Sequence, residues 1–287
     1  MKIGWIGTGV MGLPMAGHLQ KAGHEISVFN RTKSSAEPLL LKGAQWYETP
    51  ADVAVHSEIL FTIVGLPNDV EEVYLGERGI LSVKSPCQVV VDMSTSQPSL
   101  ARKIDRESER RGIDSLDAPV SGGDIGARNA TLAIMVGGKK EAFERVLPLF
   151  KLMGENISYM GGPGAGQSTK MCNQILVAGT MIGVCESLLY AAKVGLKQEE
   201  VIQIIGKGAA GSWAINNLGP RIVKGDYDPG FMVDHFIKDL GIALDEAATL
   251  GLSLPGLELA HRLYLAVKEQ GHGRSGTQAL ILALKDL

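Results

Sequence analysis

Lys170 and Asn173 are the pair of residues best placed by type and spacing to do chemistry. They lie three residues apart, just after Gly164-Ala165-Gly166 and at the head of an apolar run from Ile175 to Cys185. On a helix that spacing puts both side chains on one face. A lysine among apolar neighbours serves as a general acid or base when desolvation or nearby charge draws its pKa down. Asn173 would hydrogen-bond a substrate beside it. The plainer alternative is a lysine that snorkels at a helix end.

Three other segments carry polar groups where ligands bind. Asp117-Ala118-Pro119-Val120-Ser121-Gly122-Gly123 is a strand running into a glycine pair. Successive backbone N–H groups over Ser121, Gly122 and Gly123 can form a nest for a carboxylate, with the Ser121 hydroxyl as a further donor; a plain turn is the alternative. Val91-Asp92-Met93-Ser94-Thr95-Ser96 ends another strand, where Thr95 would face a nicotinamide or its ribose. The same serines and threonine could instead cap the next helix. Leu66 and Pro67 follow a third strand and would line the same crevice. In His235-Phe236-Ile237-Lys238-Asp239-Leu240 a cation sits at a helix start, against the helix dipole. That placement asks for an anionic ligand, unless Lys238 and Asp239 are simply a surface ion pair.

The element that would position a cofactor opens the chain. An apolar run, Lys2 to Ile6, leads into Gly7, Thr8, Gly9, Val10, Met11 and Gly12, the spacing G-x-G-x-x-G, and then a helical run to Ala22. Between a strand and a helix, this pattern allows a tight turn, close approach of a pyrophosphate and close helix packing, with the helix N-terminus facing the phosphates. The second strand, Ile26 to Phe29, ends in Asn30, Arg31 and Thr32. A carboxylate there would hold the 2′-hydroxyl of NAD; none is present, and Arg31 can hold a 2′-phosphate. The expected cofactor is NADP(H), with NADPH favoured over NADH.

Stepping along the chain, apolar runs at Ile59–Val64, Val89–Met93, Ile113–Ala118, Leu132–Val136 and Ile157–Met160 alternate with helical stretches such as Ser99–Arg111 and Lys140–Phe150. This predicts an α/β, mostly parallel sheet covered on both faces. A glycine-rich break at 161–166 ends the strand signal. Helices are then expected over Gln167–Val194, Glu199–Lys207, Trp213–Val223, Phe236–Leu250, Leu257–Glu269 and Thr277–Leu284. The predicted domains are 1–162, α/β, and 163–287, all-α.

Net charge is −3 over 287 residues, with no basic cluster, which argues against nucleic acid. The six histidines show no ligand spacing, so no metal is expected. Cys87, Cys172 and Cys185 lie far apart and read as buried thiols in a reducing, cytoplasmic compartment; no leader precedes the first strand. The uncharged run Ile175–Cys185 is too short to span a bilayer, so it predicts burial in a helical core or against a second subunit.

Together these segments resemble the β-hydroxyacid dehydrogenase family, which includes 3-hydroxyisobutyrate dehydrogenases and tartronate semialdehyde reductases. Ile6 to Ala16 is similar to its N-terminal signature, Asp117 to Gly123 to its substrate segment, Gly164 to Asn173 to the stretch with its catalytic lysine, and Lys238-Asp239-Leu240-Gly241 to its fourth motif. The resemblance implies a Rossmann-type doubly wound domain, a long interdomain helix, an all-α C-terminal domain, and a homodimer or homotetramer. It implies that Lys170 is the acid–base group with Asn173 beside it, that Ser121, Gly122, Gly123 and Asp239 bind a small carboxylate substrate, and that Lys238 faces the cofactor. The implied reaction interconverts a small β-hydroxy acid and its semialdehyde. Gln174 departs from the second asparagine often found there. Retention of Lys170 favours a carbonyl over an imine, and Gly122-Gly123-Asp124 looks closer to the 3-hydroxyisobutyrate type. The competing expectations are a reductase of tartronate, glyoxylate or succinic semialdehyde or of an imine, and a non-catalytic NADP(H) sensor.

Overall fold

A computed structural model describes residues 1–84 and 87–285. The chain divides into two compact units, Met1–Lys170 and Met171–Leu287.

In the first unit, among the described residues, nine strands form one sheet: β1 (Lys2–Ile6), β2 (Glu25–Phe29), β3 (Gln45–Trp46), β4 (Ile59–Thr62), β5 (Val89–Asp92), β6 (Asp114–Asp117), β7 (Val120–Ser121), β8 (Leu132–Gly138) and β9 (Gly154–Gly161). The order is β3-β2-β1-β4-β5-β6-β8-β7, with β9 on β8. From β3 to β6 every pairing is parallel. β8 runs antiparallel to β6 and β7, and parallel to β9. β3 and β7 are two residues each, too short to show an alternation, and the sequence did not signal them.

Successive strand residues point to opposite faces. Ile59, Phe61, Val89 and Val91 enter one apolar core, and Leu60 and Val90 enter another on the far side. Both faces of the sheet are therefore covered, as in a doubly wound fold. Trp5 anchors the larger core: its ring is fully buried, stacked on Phe61 at 5.6 Å. Its indole N–H donates to the Gly7 carbonyl at 2.8 Å. The chain thus ties the start of the glycine loop to a large, fully buried aromatic.

The sheet reverses direction between β1 and β4: β2 and β3 build outward on one side of β1, β4 to β6 on the other. Open α/β sheets bind ligands beyond the strand ends at such a point. The loops after β1, β4, β5 and β6 carry the segments singled out above.

The second unit is helical. The helix Ala165–Lys193 begins in the first unit and supplies Met171, Ala178, Met181, Val184, Cys185 and Leu188 to the second unit's core, which also takes Phe236 and Leu240 from Val233–Thr249 and Tyr264 from Pro255–Val267. By length and composition alone this helix could cross a membrane. One of its faces packs on that core. Burial is not all round, however: Leu176 is 72% and Tyr190 is 70% exposed, and Cys172 is exposed too, against expectation. Cys87 and Cys185 are buried, and burial pushes both thiols up to about 12. The single helix expected over Trp213–Val223 is two, Trp213–Asn217 and Gly219–Val223, because Pro220 belongs at a helix start rather than in its interior.

Candidate active site

The glycine loop is held from several sides. Gly7 N–H donates to the Phe29 carbonyl at 3.1 Å. Gly7 has φ of 98°, and a Cβ there would fall 2.0 Å from the Ile63 carbonyl oxygen; at Gly12 it would fall 2.0 Å from the Gly7 carbonyl oxygen. At Gly9 a Cβ would meet nothing within 4 Å. The chain's own packing therefore requires the outer two glycines, and the middle one faces open space. Thr8 beside it is 3% exposed, and its hydroxyl has no partner within the protein. The helix Gly12–Lys21 starts at Met11 with no side-chain cap. An open middle glycine, an orphaned hydroxyl and an uncapped helix start fit a pyrophosphate.

The Asn30 side chain is engaged within the fold. Its Oδ1 accepts from Thr8 N–H at 3.1 Å and its Nδ2 donates to the Thr32 carbonyl at 2.9 Å. It braces the glycine loop against the end of β2. Thr32 is exposed, and Arg31 is 89% exposed with Asp69 at 3.6 Å. Asp69 also accepts from Leu66 N–H at 3.1 Å, and Pro67 begins the helix that follows.

The serine loop after β5 is stitched from below. Asp92 Oδ1 accepts from Thr62 Oγ1 at 2.9 Å and from Ser94 N–H at 3.0 Å, and Ser94 Oγ accepts from Val64 N–H at 2.9 Å. Thr62 also meets the Tyr74 hydroxyl at 3.0 Å, and burial with the Asp92 charge holds that phenol far above its ordinary range. The helix Pro98–Glu109 starts at Gln97 with no side-chain cap, so Ser94, Thr95 and Ser96 do not cap it. Half-buried Thr95 lies between two serines that the fold pins.

Asp117, at the end of β6, accepts from Gly164 N–H at 2.8 Å and from Gln167 N–H at 2.7 Å. It caps the start of the helix carrying Lys170. Burial raises its carboxyl to about 6, against the pull of those two N–H groups. The fully buried Gln167 side chain reaches back to the serine loop: its Nε2 donates to the Ser94 carbonyl at 2.7 Å and its Oε1 accepts from Ser96 N–H at 2.9 Å. Lys170, three residues on, is buried at 6% exposure. Ser121 pairs with Ala133, while Gly122 and Gly123 have φ of 130° and 62°, so the turn depends on glycine at both places.

In the second unit Asn173 Nδ2 donates to Gln174 Oε1 at 2.7 Å, and Gln174 Nε2 donates to Asp239 Oδ2 at 2.6 Å. Asp239 Oδ1 lies 3.0 Å from Lys238 Nζ. Asp239 is 1% exposed, and its carboxylate lies between Gln174 and Lys238. Burial and the Lys238 charge hold the half-buried His235 imidazole below its ordinary range. Trp213 is 64% exposed, and Phe231 stacks on His235 at 6.5 Å.

Sequence reasoning passed over Gln167, Asp117 and Asp92 as polar partners. The available signal was a glutamine one turn before the lysine on the same helix face.

A doubly wound sheet with this loop at its switch point defines a dinucleotide-binding protein, and the comparisons agree. Residues 2–161 match the NAD binding domain of 6-phosphogluconate dehydrogenase, and residues 164–284 match the NAD-binding domain of NADP-dependent 3-hydroxyisobutyrate dehydrogenase. A probable 3-hydroxyisobutyrate dehydrogenase-like protein of Arabidopsis thaliana is 52% identical over all of this chain and 86% of its own. The 2-hydroxy-3-oxopropionate reductase of Escherichia coli is 41% identical over 99% of this chain and 97% of its own. The solved Mycobacterium tuberculosis 3-hydroxyisobutyrate dehydrogenase with L-serine superposes with a TM-score of 0.89 at 29% identity, covering 99% of each chain. The chain belongs to the β-hydroxyacid dehydrogenase family, and its activity is that of an NAD(P)-dependent oxidoreductase.

Proposed function

We propose that this protein reduces a small semialdehyde carboxylate to its β-hydroxy acid, or runs the reverse, with NADP(H) preferred. The observation that carries the reading is Lys170: a buried lysine at the start of a helix whose first turn is bonded to the ends of β5 and β6. When bound, the nicotinamide cofactor gives or takes the hydride. Gly7, Gly9, Gly12 and the Thr8 hydroxyl would hold its pyrophosphate, Arg31 its 2′-phosphate, and Thr95, Leu66 and Pro67 would flank its nicotinamide end.

Lys170 donates a proton to the substrate oxygen as that oxygen becomes a hydroxyl, and its charge stabilises the developing oxyanion. In oxidation it accepts the hydroxyl proton. Ser121, Gly122 and Gly123 hold the substrate carboxylate, and Asn173, one helical turn beyond Lys170, orients the substrate. Lys238 is the second unit's cation for an anionic ligand, set by Asp239. A homodimer or homotetramer and a cytoplasmic site of action belong to the same reading.

Loss of reduced-cofactor absorbance is followed over a panel of semialdehydes, with NADPH and with NADH. Turnover of methylmalonate semialdehyde above the others supports the 3-hydroxyisobutyrate type. Preference for tartronate semialdehyde supports the second reading, which the similarity to the 2-hydroxy-3-oxopropionate reductase favours. Silence across the panel, with cofactor bound, points to a sensor. Lys170→Ala lowers kcat by about 10²-fold or more with cofactor still bound; an unchanged kcat removes Lys170 from the mechanism.

A further inference from the structure

Gln167 holds two pieces of the first unit in register. Its side-chain amide donates to the Ser94 carbonyl and accepts from the Ser96 N–H, one bond on each side of Thr95. Its own backbone N–H is bound by Asp117 at the end of β6. It is fully buried, and the helix start around it has no slack: a Cβ at Gly166 would lie 2.3 Å from the Asp117 carbonyl and 2.4 Å from the Met135 carbonyl. Lys170 is one turn further along. One side chain therefore joins the loop that bears Thr95 to the helix turn that leads to Lys170, across 71 residues of sequence for the Ser96 bond. A buried amide that only completed packing would need partners, but not one on each flank of a residue in the site.

We propose that Gln167 is a positioning residue, setting Thr95 and Lys170 at the separation that hydride transfer and proton transfer both require. This rests on the reading of Lys170 given above. The amide is suited to the task because it donates and accepts in one plane. A carboxylate in its place would meet the Ser94 carbonyl with a lone pair. A protonated carboxyl would restore both bonds, and burial beside Asp117 raises the pH at which it protonates.

The full-length chain carrying Gln167→Met, Gln167→Glu or Lys170→Ala is compared with the parent protein. Gln167→Met keeps size and removes both bonds. Amide hydrogen exchange over 94–96 is expected to quicken about 10-fold, while exchange in β1, β4 and β5 stays as it was. kcat is expected to fall about 10-fold to 10²-fold, with a KM for cofactor changed less than the kcat. In Gln167→Glu, exchange over 94–96, corrected for its intrinsic pH dependence, slows as pH falls, and kcat relative to the parent rises with it. Unchanged exchange at 94–96, unchanged kcat in Gln167→Met, or loosening of the whole sheet with parallel loss of cofactor affinity overturns the proposal. Full kcat in Lys170→Ala instead overturns the reading of Lys170, and the exchange result still reports on the clamp.

Discussion

The two units use buried polarity in different ways. In the first, Asp92, Asp117, Ser94 and Gln167 bond mainly to backbone N–H and C=O groups in the loops after β4 and β5 and at the start of the helix Ala165–Lys193. In the second, Asn173, Gln174, Asp239 and Lys238 bond to one another, side chain to side chain. A bond to backbone fixes where a loop runs. A relay among side chains fixes where a charge sits and leaves the backbone to the helices. In these two networks the first fixes the loops beside β5 and β6 and the second places the Lys238 cation, although the second unit also fixes backbone through Gln278, whose Nε2 donates to the Asp226 and Asp228 carbonyls at 3.1 Å.

The largest expected effect breaks the relay. Asp239→Ala leaves Lys238 and Gln174 without their shared carboxylate in a nearly closed site and costs about 3–5 kcal/mol, read by urea denaturation. A loss below about 1 kcal/mol would mean the relay is dispensable and would erase the contrast. Next comes Asp117. Its folded pKa of about 6 lies above the unfolded value of 3.8, so its contribution is present below the unfolded value and is lost as pH rises through about 6. Relative to Asp117→Asn, the parent protein is therefore expected to lose about 2 kcal/mol between pH 4.5 and pH 7.5. A flat difference across that range would show that the carboxylate is not held against its burial.

Smaller again is the exposed rim of the first unit. Arg31→Glu is expected to weaken NADPH about 10-fold more than NADH in fluorescence titration, with Tm unchanged. Equal effects on both cofactors would leave cofactor choice to other residues. The smallest effect lies at the surface of the second unit, where the Arg221 guanidinium grips Asp226 at 2.8 and 2.9 Å and holds its carboxyl down to about 2. That contribution is present above the unfolded carboxyl pKa and is lost only as pH falls through about 2. Arg221→Lys should leave the thermal unfolding curve at neutral pH nearly unmoved. A shift matching that of Asp239→Ala would show that burial is not what separates the two networks.

The elements legible in the sequence were those with long apolar patterns. The helix Lys140–Phe150 and the strands over Ile59–Thr62 and Val89–Asp92 follow from periodicity that each segment carries by itself. β3 and β7 were not legible, because two residues form a strand only when a neighbour is there to pair with. The glycine loop was legible because its three glycines keep a fixed spacing between a strand and a helix, although the carbonyl that closes on Gly7 comes from Ile63. The Asn30 brace, the Asp117 cap and the Gln167 clamp were not, because each joins residues separated by 22 to 73 positions. Ser94 to Ser96 were open to a capping reading because serine before a helix is a local signal, but the Ser94 hydroxyl accepts from Val64 N–H, 30 positions away, instead.

The glycines of the first loop differ in what would keep them over long descent. Gly7 and Gly12 are demanded by a carbonyl oxygen 2.0 Å from any added carbon, so selection for a folded protein alone preserves them. Gly9 answers to no atom of the chain. In a lineage that had stopped using a dinucleotide while still needing the protein to fold, Gly9 would drift first, and a side chain there beside an intact Gly7 and Gly12 would mark a lapsed enzyme.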